Sequence, residues 1–187
     1  MVLKTTNIRL KKDIEEMKQI NGELEDNMYN LEVDLAKLSQ YTRRENLQIR
    51  GIPNSVKQRY LEAHVINILA KIGVKVQHYN IAACHRLYNK NDKYPADTII
   101  RFVNRKDCYN SYANKKKLRD IPELKNIRFL DNLCPAYKRI YRECSILRQE
   151  EKIKGFWSYK GTIYINMSEN IEDAVPIYHE IDLDEYR

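Results

Sequence analysis

The sequence lacks any run of eighteen apolar residues, about the shortest length that spans a membrane as a helix. Its first residues, MVLKTTNIRLKK, pass directly into polar heptads and contain no apolar stretch of the kind that a secretory signal carries. These absences predict a protein with no membrane partner. We therefore expect an intracellular protein, located in the cytoplasm, the nucleus or both.

The common sequence signatures of catalysis are also absent. There is no P-loop, no G-x-S-x-G and no H-E-x-x-H. The histidines and cysteines are few and dispersed, without a C-x-x-C pair: His64, His78, His85 and His179, and Cys84, Cys108, Cys134 and Cys144. Such spacing is not typical of a zinc site or of a disulfide framework. The sequence predicts no enzyme activity, no cofactor and no metal, and it predicts four reduced thiols.

Charge is distributed unevenly along the chain. Lys and Arg number 33 against 26 Asp and Glu, a net charge of +7. Residues 168–187 hold seven carboxylates against Arg187 alone, a net charge of −6, which leaves +13 on residues 1–167. A basic body with an acidic tail predicts a polyanionic ligand with which the tail competes. The alternative is that the tail only aids solubility.

A heptad repeat fills the first forty residues. One row recurs at strict seven-residue intervals, and a second row lies four residues after it. The first row is assigned to position d: Leu3, Leu10, Met17, Leu24, Leu31 and Leu38. The second row then occupies position a: Asn7, Ile14, Asn21, Met28 and Leu35. Two interleaved rows of this kind are typical of a coiled-coil seam.

The residues beside the seam favour an oligomer. The e and g positions are mostly polar, whereas an amphipathic helix that packs on its own domain has a wider apolar face. Asn at position a favours one register, because it pairs best with a matching Asn. In a parallel pair, Asp13 at g meets Lys18 at the following e of the partner. We predict a parallel homo-oligomer, either a dimer or a trimer.

The middle of the chain has the pattern of a small α+β domain. Alternating apolar residues predict strands in NLQIRGI, YNIAACHRL, TIIRFV and IRFLDN. An apolar helical face from Leu61 to Ile72 ends at Gly73, and Asn104 can cap a second helix. The order strand, helix, strand, strand, helix, strand is the split-βαβ arrangement of RNA-recognition-motif (RRM) domains.

The last part of the chain predicts a helix and a hairpin. Pro135 suits the first turn of a helix, since its missing N–H needs no partner there. The segment FWSYKGTIYIN alternates on both sides of a Lys160-Gly161 turn, and we expect Trp157 to anchor this hairpin. The fold class predicted is α+β, in four parts. These are a coiled-coil helix over 1–42, an RRM-like βαββαβ domain over 43–132, a small helix-plus-hairpin domain over 133–167 and an acidic tail over 168–187.

Three successive segments resemble one protein family. RRENLQIRGIP follows the coiled coil, DTIIRFVNRKDCYNSYANKKKL comes next, and IRFLDNLCPAYKRIYRECSILRQEEKIKGFWSYKGTIYI completes the set. Together they resemble the first-open-reading-frame protein of LINE-type retrotransposons and the baculovirus few-polyhedra protein. The resemblance covers residues 1–166. It implies a coiled-coil oligomer whose RRM-like and C-terminal domains together clasp single-stranded nucleic acid, without an active site.

The resemblance also implies binding residues. Arg44 precedes the first strand and Arg142 lies on the C-terminal helix, where the family places binding arginines. Tyr159 and Lys160 fall at the tip of the hairpin, where the family has a tyrosine and a basic residue. Two departures are visible. Tyr141 replaces the second helix arginine of the family, and the zinc knuckles that end some relatives are not present.

Further binding residues follow from the sequence itself. The predicted first strand has no aromatic residue, and Phe102 of the third shares a face with Ile100, so we assign it to the core and expect no base stacking on the open sheet. Binding then depends on basic contacts to phosphate, helped by exposed tyrosines. The additional candidates are Arg43, Arg50, Arg86, Arg101, Lys116, Lys138 and Arg139. Phosphate contacts carry no sequence information, which predicts weak sequence preference.

These features predict a non-enzymatic, oligomeric protein that binds single-stranded RNA or DNA, as a nucleic-acid chaperone or coat protein of a transposon or a virus. The alternative is a coiled-coil scaffold whose basic body docks on an acidic protein surface. The two functions differ in one measurable property, because only the first requires affinity for single strands.

Overall fold

The computed structural model describes residues 2–89, 93–168 and 170–187, and side chains throughout these ranges except those of residues 2–5 and 8. The protein is α+β, as predicted, with one long N-terminal helix and two antiparallel sheets. The helices are α1 (Val2–Tyr41), α2 (Gln58–Lys71), α3 (Arg105–Ala113) and α4 (Pro135–Gln149). The strands are β1 (Asn46–Arg50), β2 (Ile81–Arg86), β3 (Thr98–Phe102), β4 (Arg128–Asp131), β5 (Gly155–Tyr159), β6 (Thr162–Asn166) and β7 (Val175–Ile177).

The first sheet has four strands in the order β2-β3-β1-β4, and every neighbouring pair is antiparallel. Leu47 lies opposite Ile100, and Ile49 lies opposite Phe129. These side chains belong to one core with Leu61, Val65, Ile68 and Leu69 of α2 and Cys108 of α3. Both helices therefore cover the same face of the sheet. Phe102 is 1% exposed within this core, as predicted.

Local sequence signals fix the ends of these elements. The Asn104 side chain accepts a hydrogen bond from the backbone N–H of Lys106 at 2.9 Å, so it caps α3 as predicted. Pro135 occupies the first turn of α4. β1 ends at Gly51, whose φ is +95° and whose Cβ, if it had one, would lie 2.3 Å from the carbonyl oxygen of Asn126. Only glycine fits this close approach.

A second sheet, in the order β5-β6-β7, packs against α4. The β5–β6 turn has left-handed backbone at both central residues, Lys160 (φ 52°) and Gly161 (φ 81°), which is the two-residue hairpin geometry that the sequence predicts. Its core combines one face of α4 with the inward side chains of the sheet: Tyr137, Ile140, Cys144, Leu147, Ile163 and Ile165.

The acidic segment 168–187 belongs to this C-terminal unit. β7 pairs with β6, and a short 3₁₀ helix follows at Glu180–Tyr186. Ile177 and Leu183 are 1% and 0% exposed in the same core as α4. The high content of carboxylates in this segment gave no indication that Ile177 and Leu183 are core residues. Glu169 lies outside the described residues.

The heptad seam of α1 is exposed. All of its described members are exposed, the apolar ones by 48–70%: Asn7, Leu10, Ile14, Met17, Asn21, Leu24, Met28, Leu31, Leu35 and Leu38. Leu3 lies outside the described side chains. The helix packs on the body through a different face, on which Val33, Ala36 and Gln40 are buried. At its C-terminal end the seam lies beside the body, since Leu35 lines a cavity with Cys134 and Pro135.

The acidic segment fastens α1 to the C-terminal unit. The hydroxyl of Tyr29 donates to Asp182 at 2.7 Å, and Glu32 lies 2.8 Å from His179 Nε2. Burial acts to raise the pKa of Asp182, but the Tyr29 hydroxyl and the backbone N–H groups of Tyr178 and His179 outweigh it and lower this pKa. The carboxylate is therefore held in its charged form against α1.

Gln40 connects three parts of the fold from a buried position. Its Nε2 donates to the carbonyl of Asn132 at 3.2 Å, and its Oε1 accepts from the N–H of Cys134 at 2.7 Å. Its side chain also lies against the hairpin turn, because a Cβ on Gly161 would be 2.7 Å from Nε2. One side chain thus joins the end of α1, the β4–α4 connection and the hairpin tip.

We predict that Gln40→Ala destabilises the fold. The substitution leaves the Cys134 N–H and the Asn132 carbonyl buried without partners, and each such group costs about 1–3 kcal/mol. Chemical denaturation at fixed protein concentration measures the loss. Gln19→Ala is the matched control, because Gln19 contacts only Glu23 on the exposed surface of α1. Equal stability of the two variants would show that Gln40 does not hold these parts together.

Candidate nucleic-acid interface

Three neighbouring cavities share lining residues, and we call them the joined cavities. The hinge cleft, about 220 Å³, lies between the residues after α1, helix α3 and the hairpin tip. The central groove, about 580 Å³, lies between the β4 edge, α4 and β5. The outer groove, about 550 Å³, lies beside β1 and the loop before β3. Tyr112 and Asp131 line both the hinge cleft and the central groove, and Arg50 lines both the central and outer grooves.

The hinge cleft brings together four predicted binding residues that are distant in sequence: Arg43, Arg44, Tyr159 and Lys160. Arg44 is held in place, since its guanidinium stacks 3.6 Å over the Tyr41 ring and its Nε donates to Glu45 at 2.7 Å. Lys160, at the hairpin tip, has its ammonium 5.7 Å from the centre of the Tyr109 ring. Cations and aromatic rings therefore alternate around the cleft mouth.

Asp131 lies at the back of the cleft, at the end of β4. Burial raises the pKa of its carboxyl most strongly, while Ser158, the N–H of Gly161 and the hydroxyl of Tyr112 act to lower it, and the net shift is upward. Its Oδ2 is buried and has no hydrogen-bond partner among the described residues.

The central groove carries further basic residues. Lys138 and Arg142 lie one turn apart on α4, and both are exposed. Arg50 faces them from β1, where two hydrogen bonds from its Nε and Nη2 to Asp97, at 3.0 and 2.9 Å, fix its guanidinium and raise its pKa. Its side chain is still 60% exposed. These fixed cations leave donors free for an anionic ligand.

Aromatic side chains line the same groove. The Tyr141 ring packs edge-on against Phe156 at 4.8 Å, with the tyrosine 38% exposed. Trp157 stacks on Tyr164 at 6.0 Å between ring centres. The prediction that Trp157 anchors the hairpin is wrong, because it pairs with Tyr164 on the outer face while the alternate face, with Ile163 and Ile165, enters the core. The tryptophan is half-buried beside the groove instead.

Two predicted binding residues have structural roles. The guanidinium of Arg86 donates to four backbone carbonyls at 2.6–3.2 Å, those of Ile52, Pro53, Val56 and Ala96. Arg139 forms an ion pair with Glu180 on the side of α4 that faces the acidic segment. These contacts stabilise the fold, as the ion pairs of Arg44 and Arg50 also do. A part for Arg86 and Arg139 in binding stays a prediction.

Two others do not line the three joined cavities. Arg101 is exposed on the open face of β3, opposite Asn46 and Ala83. Lys116 lines a fourth cavity beside β4, which shares Lys115, Phe129 and Leu130 with the central groove. A part for Lys116 in binding therefore stays a prediction.

Sequence reasoning missed Asn46, which lines the hinge cleft. Tyr109, Tyr112 and Lys115 also line the cavities, and Lys115 lies 3.7 Å over the Tyr112 ring. The sequence indicates these three, since tyrosines interleave with basic residues after β3. Nothing in the sequence distinguishes Asn46 from other polar residues at the start of a strand. Its position becomes visible only when α3 and the hairpin close around it.

No protein-family model matches this chain, and no curated protein matches it significantly. Within the described ranges, no group of three or more His, Cys, Asp or Glu side chains is arranged to hold a metal. None of the described helices has the length and apolar composition that crossing a membrane requires.

We predict that Arg142→Ala weakens binding of single-stranded RNA uniformly across sequences. Loss of one phosphate contact reduces the magnitude of the log-log salt slope by about 0.7. Arg139→Ala is the matched control, because it removes the same charge from the other side of the same helix. Fluorescence anisotropy over a salt series measures both quantities. Equal losses in the two variants would indicate a diffuse charge effect, and the groove would not be the site.

Proposed function

We propose that this protein is a non-enzymatic, oligomeric protein that binds single-stranded nucleic acid, RNA in particular. The observation that carries the proposal is the continuous path formed by the hinge cleft, the central groove and the outer groove. Basic side chains for phosphates and exposed or half-buried rings for bases line it: Arg43, Arg44, Arg50, Lys115, Lys138, Arg142 and Lys160, with Tyr88, Tyr94, Tyr109, Tyr141, Trp157 and Tyr159. This combination is the one that single-strand binders use.

The path favours single strands over duplex. Tyr88 and Tyr94 of the outer groove are 88% and 70% exposed, so their rings are available to stack on unpaired bases. A duplex keeps its bases inside and offers no faces to these rings. Duplex would gain only the phosphate contacts. Single strands gain both kinds of contact, which is the basis of the expected preference.

An RRM-like identity of residues 43–132 is part of the proposal. Its support is the strand order β2-β3-β1-β4, together with helices that follow β1 and β3 and cover one face. The open face carries no Phe, Tyr or Trp, because both aromatic residues of these strands, Phe102 and Phe129, are buried in the core. The open face therefore contributes Gln48 and Arg50 to the central groove, and the strand binds there without bases stacked on the sheet.

A second copy of the chain covers the exposed seam of α1 in this proposal. Eight apolar seam residues are exposed in a row at heptad spacing, which is a strong reason for association. The pairing of Asn with Asn and of Asp13 with Lys18 favours a parallel arrangement. Dimer and trimer both satisfy these contacts. Leu31, Leu35 and Leu38 extend the seam beside the body, so the binding paths of the copies lie at the same end.

Parallel association gives the seam a role in binding. The copies present several basic bodies at one end of a shared rod, and a single strand that occupies one path meets the next at high effective concentration. The resemblance to LINE-type and few-polyhedra proteins implies the same arrangement. A chaperone or coat protein of a transposon or virus is the cellular role that this resemblance implies.

A scaffold that docks on an acidic protein surface is the second candidate. The observation in its favour is the ion pair of Arg139 with Glu180, in which the basic body already holds an acidic segment of the protein. That contact lies away from the joined cavities and is internal. It leaves the exposed cations of the central groove without an occupant, which is why nucleic acid is the preferred ligand.

We predict that Met17→Glu combined with Leu24→Glu yields a folded monomer with weakened affinity for single-stranded RNA. Glutamates in the seam repel each other between copies, whereas in a single chain both positions are exposed. Loss of avidity reduces affinity by about a hundredfold or more. Light scattering gives the mass, and anisotropy with a labelled oligouridylate long enough to span two paths gives the affinity.

Gln19→Glu combined with Asn30→Glu is the control, since it adds the same two charges at exposed positions outside the seam. An unchanged mass in the double variant would contradict the seam assignment. A monomer that binds as tightly as the native protein would contradict the role of avidity. Absence of RNA binding in the native protein at low salt would overturn the proposed function and favour the scaffold.

A further inference from the structure

The fourth cavity, beside β4, is strongly basic. Its volume is about 270 Å³, and four of its eight lining residues are cationic: Lys115, Lys116, Arg119 and Arg128. None of the eight is Asp or Glu. The three joined cavities differ in this respect, because Asp131 or Asp97 lines each of them. The fourth cavity therefore offers positive charge that no carboxylate of its own lining offsets.

The cavity lies along the edge of the first sheet. The consecutive residues 127–130 all line it. Neighbouring residues of a strand point to opposite faces, so a cavity lined by all of them follows the strand edge and not one face. β4 is the edge strand and pairs only with β1 among the described strands. Its outer edge can present backbone N–H groups, which are among the groups that contact phosphates in nucleic-acid complexes.

The cations of the fourth cavity are available to an anionic ligand. Three of them are exposed: Lys116, Arg119 and Arg128. The guanidinium of Arg128 is oriented by the backbone, because its Nη1 donates to two nearby carbonyls. Lys115 is half-buried. Burial lowers its pKa most strongly, Asp131 acts to raise it and the charge of Arg119 acts to lower it, with a net downward shift. An anion bound between these two like charges stabilises both.

The fourth cavity offers no ring on which a base can stack. Phe129 is the only aromatic residue of its lining, and this side chain is 3% exposed in the core of the first sheet. The outer groove has the opposite character. Its lining includes the highly exposed rings of Tyr88 and Tyr94, and its one cation, Arg50, is paired with Asp97. The outer groove thus suits unpaired bases, whereas the fourth cavity suits the phosphate backbone alone.

Both of these cavities adjoin the central groove, through Arg50 on one side and through Lys115, Phe129 and Leu130 on the other. We propose that the fourth cavity binds the phosphate backbone of a paired segment, so that the preferred ligand is a single strand that continues into a duplex. This inference rests on the proposed function and names the form of nucleic acid that fits the whole site.

The chemistry of a duplex explains the preference. A duplex conceals its base faces and presents only phosphates and groove edges, which is what a cavity with cations and no exposed ring can use. Each phosphate that a protein neutralises also releases more counterions from a duplex than from a single strand, with slopes of about −0.9 and −0.7. The unpaired part of the same ligand keeps its bases for the rings of the outer groove.

The test uses the full-length protein and one labelled RNA strand in three forms: alone, fully paired, and paired over one half with either end left unpaired. At about 0.1 M salt, we expect the better of the two half-paired ligands to bind about two- to threefold more tightly than the single strand, from two contacts in the fourth cavity. The fully paired ligand binds most weakly, because it offers no base to the outer groove.

Lys116→Gln combined with Arg119→Gln removes two cations of the cavity. We expect affinity for the half-paired ligand to fall about tenfold or more, and the magnitude of its log-log salt slope to fall by about 1.8. Lys75→Gln combined with Lys125→Gln is the matched control, because it removes the same charge from exposed positions that do not line these cavities. Thermal melting verifies that both variants are folded.

Tyr88→Leu combined with Tyr94→Leu tests the other end of the site. We expect this variant to bind the single strand and the half-paired ligand more weakly and the fully paired ligand as the native protein does, since a duplex offers these rings nothing to stack on. A loss of equal size for the fully paired ligand would contradict the division between a cavity for bases and a cavity for backbone.

The failures of the two proposals are distinguishable. A cation variant that binds the half-paired ligand as the native protein or the control variant does would overturn the role of the fourth cavity and leave single-strand binding intact. Half-paired ligands that bind no more tightly than the single strand would overturn the preference for a paired segment. Absence of binding to every form at low salt would overturn the proposed function, and this inference with it.

Discussion

The buried amide of Gln40 is the contact on which the arrangement of the molecule depends. It lies in the last turn of α1 and bonds to the backbone on both sides of Leu133, where the first domain passes into the second. The hairpin turn packs against the same side chain at Gly161. Three segments that are distant in sequence meet at this amide, and the hinge cleft is the space that their meeting encloses.

This constraint also separates the two surfaces of α1. Because Gln40, Ala36 and Val33 face the body, the seam residues Leu35 and Leu38 must face outward. The acidic segment strengthens the same attachment through Tyr29 and His179. The rod is thus joined to the body by described contacts along one face, while its seam stays exposed on another.

The sequence was most informative where a local pattern has a physical cause. Heptad spacing, alternation in strands, the Asn104 cap and the Lys160-Gly161 turn are properties of neighbouring residues, and the structure has each helix, strand and turn that they indicate. The positions of charged residues were less informative about binding, because the sequence does not show which group a charged side chain contacts in the fold. Arg86 donates to four backbone carbonyls, and Arg139 forms an ion pair with a carboxylate. In the sequence, no local pattern distinguishes these two arginines from Arg142, which lines the central groove.

Residues that depend on long-range closure were not predictable. Nothing near Asn46 or Asp131 in sequence shows that α3 and the hairpin will enclose them with Arg43. In the acidic segment, the many carboxylates indicated an exposed tail, whereas Ile177 and Leu183 of this segment are buried in the second core. The hinge cleft is thus a product of tertiary packing, whereas the basic residues along the grooves were largely visible beforehand.

The most direct test of the account is the salt dependence of binding by the full-length protein, measured in parallel on a single-stranded RNA and on a duplex of the same sequence. With three or more phosphates neutralised on each strand, the logarithm of the association constant should fall with the logarithm of salt with a slope of about −2 or steeper. The account predicts this slope, with tighter binding of the single strand at every salt concentration. A slope near zero, or equal or tighter binding of the duplex, would contradict it.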